Sequence, residues 1–280
     1  MREEGHDDGY DDGHDDDNHD DKGYDDRYDD GDDPDGYFGE AVAARYDDTS
    51  ADMFSTEAVE PVVELIAGLA RERGEARARA LEFGVGTGRI ALPLARRGVP
   101  VHGIDMSRAM VERMRAKPGG EDIGVTIGDF ATTRVDGPGF TVAYLVFNTI
   151  NNLTTQDAQV DCFRNAAAHL VPGGCFVIEV GVPDLRRLPP GQDAVPYHVG
   201  PTRLGFDTYD VATQGMRSHH MRVVDGRPVY WSLPFRYVWP AELDLMARLA
   251  GMRLRERWSG WNREPFTNDS TTHVSVWEKV

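Results

Sequence analysis

Short apolar runs and apolar stripes at helical spacing alternate along residues 80–180. Arg79-Ala-Leu-Glu-Phe83 supplies a short apolar run that ends in glycines, as a buried strand does. Arg89–Arg96 reads as the helix after it, with Pro93 near the first turn, where a missing N–H costs least. Val99–Ile104 is a second strand. Ser107 then caps a helix with Met110 and Met114 on one face, and Pro118-Gly-Gly ends it. Ile123–Ile127 is a third strand. Phe140–Phe147 is a fourth, and its unbroken apolar run predicts burial on both faces. Thr154 with Asp157 opens a helix lined by Phe163, Ala166, Ala167 and Leu170. Pro172-Gly-Gly174 stops that helix, and Cys175–Val180 is a fifth strand. Strands alternating with helices predict an α/β fold with a doubly wound parallel sheet.

The flanks differ. Gly39–Tyr46 reads as a short helix and Thr49–Glu57 as a linker. Pro61 is placed in the first turn of a helix striped by Val62, Leu65, Ile66 and Leu69, with Gly74 as its stop. After residue 183 the helical stripe disappears. Residues 202–209, 216–224 and 229–239 read as antiparallel strands, with Asp225-Gly226 as a hairpin turn. Trp231, Leu233, Phe235, Tyr237 and Trp239 would share one face of the last of these. The sheet's own core, a second subunit in a homodimer or a substrate could cover that face. Pro240–Ala250 is a helix with Leu243, Met246 and Leu249 inward. Met252–Trp258 and His273–Trp277 resemble a closing hairpin. The link between them, 260–270, is long enough to be functional.

Charge changes this picture at one end only. The net charge is −18, and residues 1–36 hold 18 Asp or Glu against 3 Lys or Arg. That repetitive Asp/Gly/Tyr/His-rich stretch cannot bury enough apolar surface to fold, so a disordered acidic tail is expected at 1–36. The other 244 residues are nearly neutral, which argues against nucleic acid as a partner. No apolar run approaches the ~18 residues of a membrane span. The N-terminus Met-Arg-Glu-Glu-Gly-His-Asp-Asp has no apolar core of a secretory signal. Cys162 and Cys175 lack metal-ligand spacing and read as reduced core residues of a cytoplasmic protein.

Three features fall at the carboxyl ends of successive strands: Gly84-x-Gly86-x-Gly88, Asp105, and Asp129-Phe130. Ligands of open α/β sheets bind at such ends. The glycines permit positive φ and close backbone approach. An acid after the second strand can accept from ribose hydroxyls. An Asp-aromatic pair after the third can take an adenine amine and cover the ring. Together these describe an adenosine site. A dinucleotide fingerprint would need G-x-G-x-x-G, which is not the spacing here.

This arrangement resembles the class I S-adenosylmethionine-dependent methyltransferases. Glu82-Phe-Gly-Val-Gly-Thr-Gly88 is similar to the family's first motif, and Leu170-Val-Pro-Gly-Gly174 to a later element. The likeness extends over 37–280 and is strongest over 80–180. It implies a Rossmann-like seven-stranded sheet with the last strand antiparallel, a methyltransferase domain over 37–280, and S-adenosyl-L-methionine as cofactor. It also implies cofactor contacts from Glu82, Gly84, Gly86, Gly88, Asp105, Met106, Asp129, Phe130 and Phe147. Tyr46 either covers the cofactor or only packs. Arg89 either pairs with the methionyl carboxylate or is a solvated helix residue. The insertion at 183–240 corresponds to a substrate cover in relatives acting on small molecules, so a small-molecule acceptor methylated on N or O is expected.

Asn148-Thr-Ile-Asn-Asn152 lacks the D/N-P-P-Y of enzymes that methylate DNA or protein amides. His219 and His220 must face opposite sides of a strand, so at most one enters the pocket. Actinobacterial-type relatives repeat the second histidine together with Arg236-Tyr-Val-Trp-Pro240, which makes His220 the candidate general base beside a structural reading. Trp258, Trp261 and Phe266 are candidates for the pocket wall. The alternative is a non-catalytic S-adenosylmethionine binder that uses the acidic tail as an interaction arm.

Overall fold

The structure, a computed structural model, describes residues 35–49, 51–224 and 226–280. Most of the acidic tail and Asp225 of the expected hairpin turn lie outside the described residues. In chain order the strands are β1 (Ala80–Phe83), β2 (Val101–Asp105), β3 (Gly124–Ile127), β4 (Phe140–Leu145), β5 (Leu170–Gly181), β6 (Ala194–Val199), β7 (Arg203–Asp210), β8 (Gly215–Val224), β9 (Arg227–Arg236), β10 (Met252–Trp258) and β11 (Thr272–Lys279). The helices are α1 (Glu40–Ala43), α2 (Tyr46–Thr49), α3 (Thr56–Arg71), α4 (Ala91–Arg96), α5 (Arg108–Arg115), α6 (Gln156–His169) and α7 (Pro240–Leu249).

Seven strands form one sheet in the order β10-β11-β5-β4-β1-β2-β3. β1 pairs in parallel with both β2 and β4, so the strand order reverses between β1 and β4. β11 runs antiparallel to both β5 and β10. The Rossmann-like sheet with its antiparallel last strand is therefore as expected. β4 is buried at every position, and its alternate residues feed two cores. Ala143 and Leu145 join Phe83, Phe163, Phe176 and Trp277 under α6 and α7. Val142 and Tyr144 join Val62, Ile66 and Val177 under α3. Phe163 stands edge-on to both Phe176 and Trp277, at 5.1 and 5.2 Å.

Several boundaries differ from expectation for identifiable reasons. Ser55 caps α3, its hydroxyl accepting from the Ala58 N–H, so Pro61 lies inside the helix rather than in its first turn. Thr155, not Thr154, caps α6. Pro172-Gly-Gly174 does not separate helix from strand. Leu170 already pairs with Phe140, and the ladder resumes at Cys175, so the glycines form an irregularity inside β5. Gly39–Tyr46 is broken into α1 and α2. Leu249 is exposed, and Ala247 takes its place beside Leu243 and Met246.

β6 escaped the sequence reading. With β7, β8 and β9 it forms a separate antiparallel sheet, in the order β6-β7-β8-β9, within the expected 183–240 insertion. β9 ends at Arg236, so Tyr237 and Trp239 lie beyond the strand.

Phe163→Ala should destabilise the fold by about 3–5 kcal/mol, because the ring is fully buried between two aromatic neighbours. Urea unfolding measures this, and a loss below about 1 kcal/mol would show that the core repacks around the gap.

Candidate active site

The turn after β1 puts three glycines in the left-handed region, with φ of 70° at Gly84, 53° at Gly86 and 80° at Gly88. A Cβ on Gly88 would lie 2.5 Å from Met114 Cγ, so that glycine is required by packing. Gly86 differs: a Cβ there would meet nothing nearer than Met110 Cε at 3.5 Å, which leaves its backbone open to a ligand. The Gly86 N–H donates to Asp105 Oδ2 at 2.6 Å, and the Ser107 N–H donates to Asp105 Oδ1 at 2.9 Å. The end of β2 is thereby tied to the turn after β1. Burial raises the Asp105 carboxyl above its ordinary value, and the backbone N–H groups of Ser107, Gly86 and Met106 oppose that rise.

Glu82 lies below this turn, 2% exposed. Its carboxyl accepts from the Tyr144 hydroxyl at 2.8 Å and from the Ala91 backbone, and burial raises it to about 8. It supports the turn from inside. Met106 beside Asp105 is 53% exposed. Asp129 closes β3 and accepts from the Ala131 N–H at 2.8 Å. Phe130 requires a correction: its ring is buried and stacked on Phe83 at 5.9 Å, so it belongs to the core and is not a free cover for a base.

The exposed aromatic is Phe147 instead. It and Asn148 both hold left-handed backbone, with φ of 57° and 58°. Such strain costs on the order of 1–3 kcal/mol per residue and needs surroundings that enforce it. Glu179 supplies them, taking the Phe147 N–H at 2.9 Å and the Trp261 indole N–H at 2.7 Å. Asn148 Oδ1 accepts the Gly181 N–H at 2.6 Å. The Arg89 guanidinium lies 5.7 Å from the Phe147 ring centroid, which brings Arg89 to the site. The sequence reading missed Glu179. A lone acid in the apolar run Cys175–Val180 was the signal for it. Trp261 stands behind Phe147, bonded to Glu179. Trp258 lies under Arg263, and Phe266 stands edge-on to His273, which pairs with Val180 near the end of β5.

The N-terminal segment closes one side. Asp35 caps α5 through the Arg108 and Ala109 N–H groups, so the tail boundary falls before it. Ser107 Oγ donates to the Phe38 carbonyl at 2.7 Å. Thr87 Oγ1 donates to Asp47 at 2.6 Å, and Lys117 pairs with the same carboxylate. Tyr46 lies between these anchors with its ring edge-on to Phe38. Burial raises its phenol, the Arg89 charge opposes this, and the Asp47 and Asp105 charges add to it.

The second sheet closes the other side. One face carries Tyr197, Gly205, Asp207, Ser218, His220, Trp231 and Leu233, as the register requires. Trp231 and Arg222 of this face line a groove of about 120 Å³ with Tyr37, Val42 and Arg45 of the N-terminal segment. The chain's own residues therefore cover part of the aromatic face. His220 stacks on Trp231 at 5.1 Å, with Nδ1 2.8 Å from the Tyr197 hydroxyl and Nε2 3.3 Å from Ser218 Oγ. His219 points to the opposite face, between Thr208 and Tyr230.

Residues 80–174 match the family model described as a methyltransferase domain. The CcbJ methyltransferase from Streptomyces caelestis is 35% identical, with 79% of this chain and 94% of that chain covered and a TM-score of 0.69. The chain belongs to the S-adenosylmethionine-dependent methyltransferases. At 11% identity, a family member from Clostridium acetobutylicum shares the fold over 85% of this chain and 98% of its own, with a TM-score of 0.65. CalS10, an amino pentose methyltransferase from Micromonospora echinaspora solved with S-adenosylmethionine bound, is 22% identical. It covers 84% of this chain and 92% of its own, with a TM-score of 0.58. No curated protein sequence matches.

The residues present fit the methyltransferase cofactor. A carboxylate offers about four acceptor positions. The backbone N–H groups of Gly86, Ser107 and Met106 leave Asp105 capacity for a hydroxyl, and the open Gly86 backbone admits close approach. When bound, S-adenosylmethionine supplies an electrophilic methyl on a sulfonium. Burial, then Arg203 and Arg222, lower the His220 imidazole to about 4. It is thus neutral at pH 7 and a weak proton acceptor, suited to orienting Tyr197 more than to general-base work.

Glu82 gives a pH test. Between 4.5 and about 8 the folded protein holds a proton that the unfolded chain has released. This contribution to stability is complete below about 4.5 and is lost as pH rises toward 8. In Glu82→Gln the thermal midpoint should fall less over that range than in the wild type. An unchanged slope would assign the proton to another group.

Proposed function

We propose that this methyltransferase transfers its methyl group to a nitrogen or oxygen atom of a small molecule. The observation that carries this reading is the enclosure of the strand ends between the N-terminal segment and the second sheet. β9 packs on the turn Thr149–Asn152 that follows β4, and the Gln159 amide donates to both the Ile150 and Arg236 carbonyls at 3.2 Å. An acceptor must then fit between aromatic walls, which suits a small molecule better than a polymer. The near-neutral charge of residues 37–280 supports the absence of nucleic acid. The amino pentose named for CalS10 is one example of the acceptor class. No helix among the described residues is long and apolar enough to cross a membrane. The two unpaired buried cysteines support a cytoplasmic setting.

In this reading the backbone of Gly84, Gly86 and Gly88 lines the cofactor, Asp105 takes the ribose hydroxyls with Met106 beside it, and Asp129 takes the adenine amine. Arg89, held against Phe147, serves the methionyl carboxylate. Tyr46 and Phe147 flank the methyl group, Glu82 supports the turn, and His220 orients the acceptor through Tyr197. The acidic stretch 1–34 is an appendage to the cofactor site.

Calorimetry with S-adenosylhomocysteine tests the assignments. Asp105→Ala should weaken binding by about 1–3 kcal/mol, through loss of a charged hydrogen-bond partner. An unchanged affinity would remove Asp105 from the ribose. Deleting residues 1–34 should leave the affinity within about twofold, a change of under half a kcal/mol. A larger loss would make the tail part of the site. Cofactor binding without methylation of any acceptor, followed with labelled methyl, would favour the non-catalytic reading.

A further inference from the structure

Asp207 sits on β7, cross-strand from Ser218 of β8. Its Oδ1 is buried, with no hydrogen-bond donor among the described residues. A buried carboxylate oxygen without a partner costs stability, and native proteins seldom keep one without use. Ser218 and, more weakly, His219 offset the burial of Asp207, and the His219 ring belongs to the opposite face. No described Arg or Lys neutralises it.

The position of this orphan oxygen is informative. Asp207 lies on the face that carries Tyr197, His220, Trp231 and Leu233. Three parts of the methyltransferase domain approach that face. Tyr37 and Arg45 meet it at Trp231, and the turn after β4 packs on β9. The Asp184 and Arg187 charges that follow β5 act on Tyr209, two residues beyond Asp207. These approaches bring the second sheet to the N-terminal segment and to the turns that follow β4 and β5. Arg203 and Arg222 also lie on this face and act on His220, but neither acts on Asp207. Gly205 is bare because the Tyr197 ring crosses it, where a Cβ would lie 2.4 Å from the ring. The Tyr197 hydroxyl is directed to His220 and Ser218. Aromatic walls around one unneutralised carboxylate select a compact cation.

We propose that Asp207 Oδ1 binds the ammonium group of the acceptor, so that this methyltransferase acts on small amines rather than on alcohols or phenols. The assignment rests on the small-molecule reading above and narrows it. Tyr197 and Trp231 supply the apolar walls on either side of the amine. His220 remains neutral, so it does not compete for the carboxylate. Burial also holds the Asp207 carboxyl above its ordinary value, which makes it a better proton acceptor than a surface aspartate. The proton leaving the ammonium nitrogen can pass to Oδ1, giving a neutral amine and a protonated carboxyl.

The test uses the full chain loaded with S-adenosylhomocysteine and two matched probe pairs: benzylamine with benzyl alcohol, and cyclohexylamine with cyclohexanol. Ligand-observed NMR titration reads their affinities. The wild-type protein should bind each amine at least about tenfold more tightly than its alcohol, and Asp207→Asn should weaken the amines by about 10–100-fold, as for loss of a charged hydrogen bond. Asp207→Asn should leave the alcohols and S-adenosylhomocysteine unchanged, and Asp207→Glu should retain the amine preference. Equal affinity for amine and alcohol in the wild type overturns the proposal without any variant. So does an unchanged amine affinity in Asp207→Asn, or a loss of S-adenosylhomocysteine binding that parallels the loss of amine. A wild-type protein that binds S-adenosylhomocysteine but neither amine overturns this assignment alone. One that fails to bind S-adenosylhomocysteine overturns the reading beneath it.

Discussion

The carboxylate of Asp105 is the constraint on which the site depends. It takes the Gly86 N–H on one oxygen and the Ser107 N–H on the other. Those two bonds fix the glycine turn after β1 against the end of the neighbouring strand β2, beside the point between β1 and β4 where strand order reverses. A carboxylate buried here is costly, and its backbone partners offset that cost. Ser107 then extends the arrangement: its hydroxyl caps α5 and also holds Phe38 of the N-terminal segment. One acid thus links the glycine turn, the following helix and the N-terminal segment.

A second set of bonds holds the other wall. Phe147 and Asn148 adopt a backbone that side chains disfavour, and Glu179 and Asn148 Oδ1 keep them there. The same Glu179 fixes Trp261 from the long loop after β10. Strain at the end of β4 is therefore maintained from β5 and from near the C-terminus. This is how a methyltransferase sheet can hold an aromatic ring at the site without mobile support.

The second sheet adds selectivity to this frame. Its inner face joins a neutral imidazole, tyrosine hydroxyls and one carboxylate among aromatic rings. Its outer face holds His219 between Thr208 and Tyr230. A one-residue slip of β8 would exchange the two histidines and their surroundings. The paired register along the whole length of β7, β8 and β9 prevents that slip.

Sequence alone determined the parallel core, the G-x-G-x-G turn, Asp105, the Ser107 cap and the antiparallel close, because each rests on local backbone geometry or a short apolar period. Tertiary structure decided the rest. Phe130 and Phe147 are both aromatics near strand ends, and only packing makes the first core and the second exposed. Pro61 lies within α3 because Ser55 is the stronger cap. Glu179 serves residues 32 and 82 positions away, a distance no periodicity encodes. Asp207 reads in sequence as one acid among many. Its orphan oxygen exists only because β6 and β8 pair on either side of it, opposite Val195 and Ser218, and burial turns an ordinary side chain into a site.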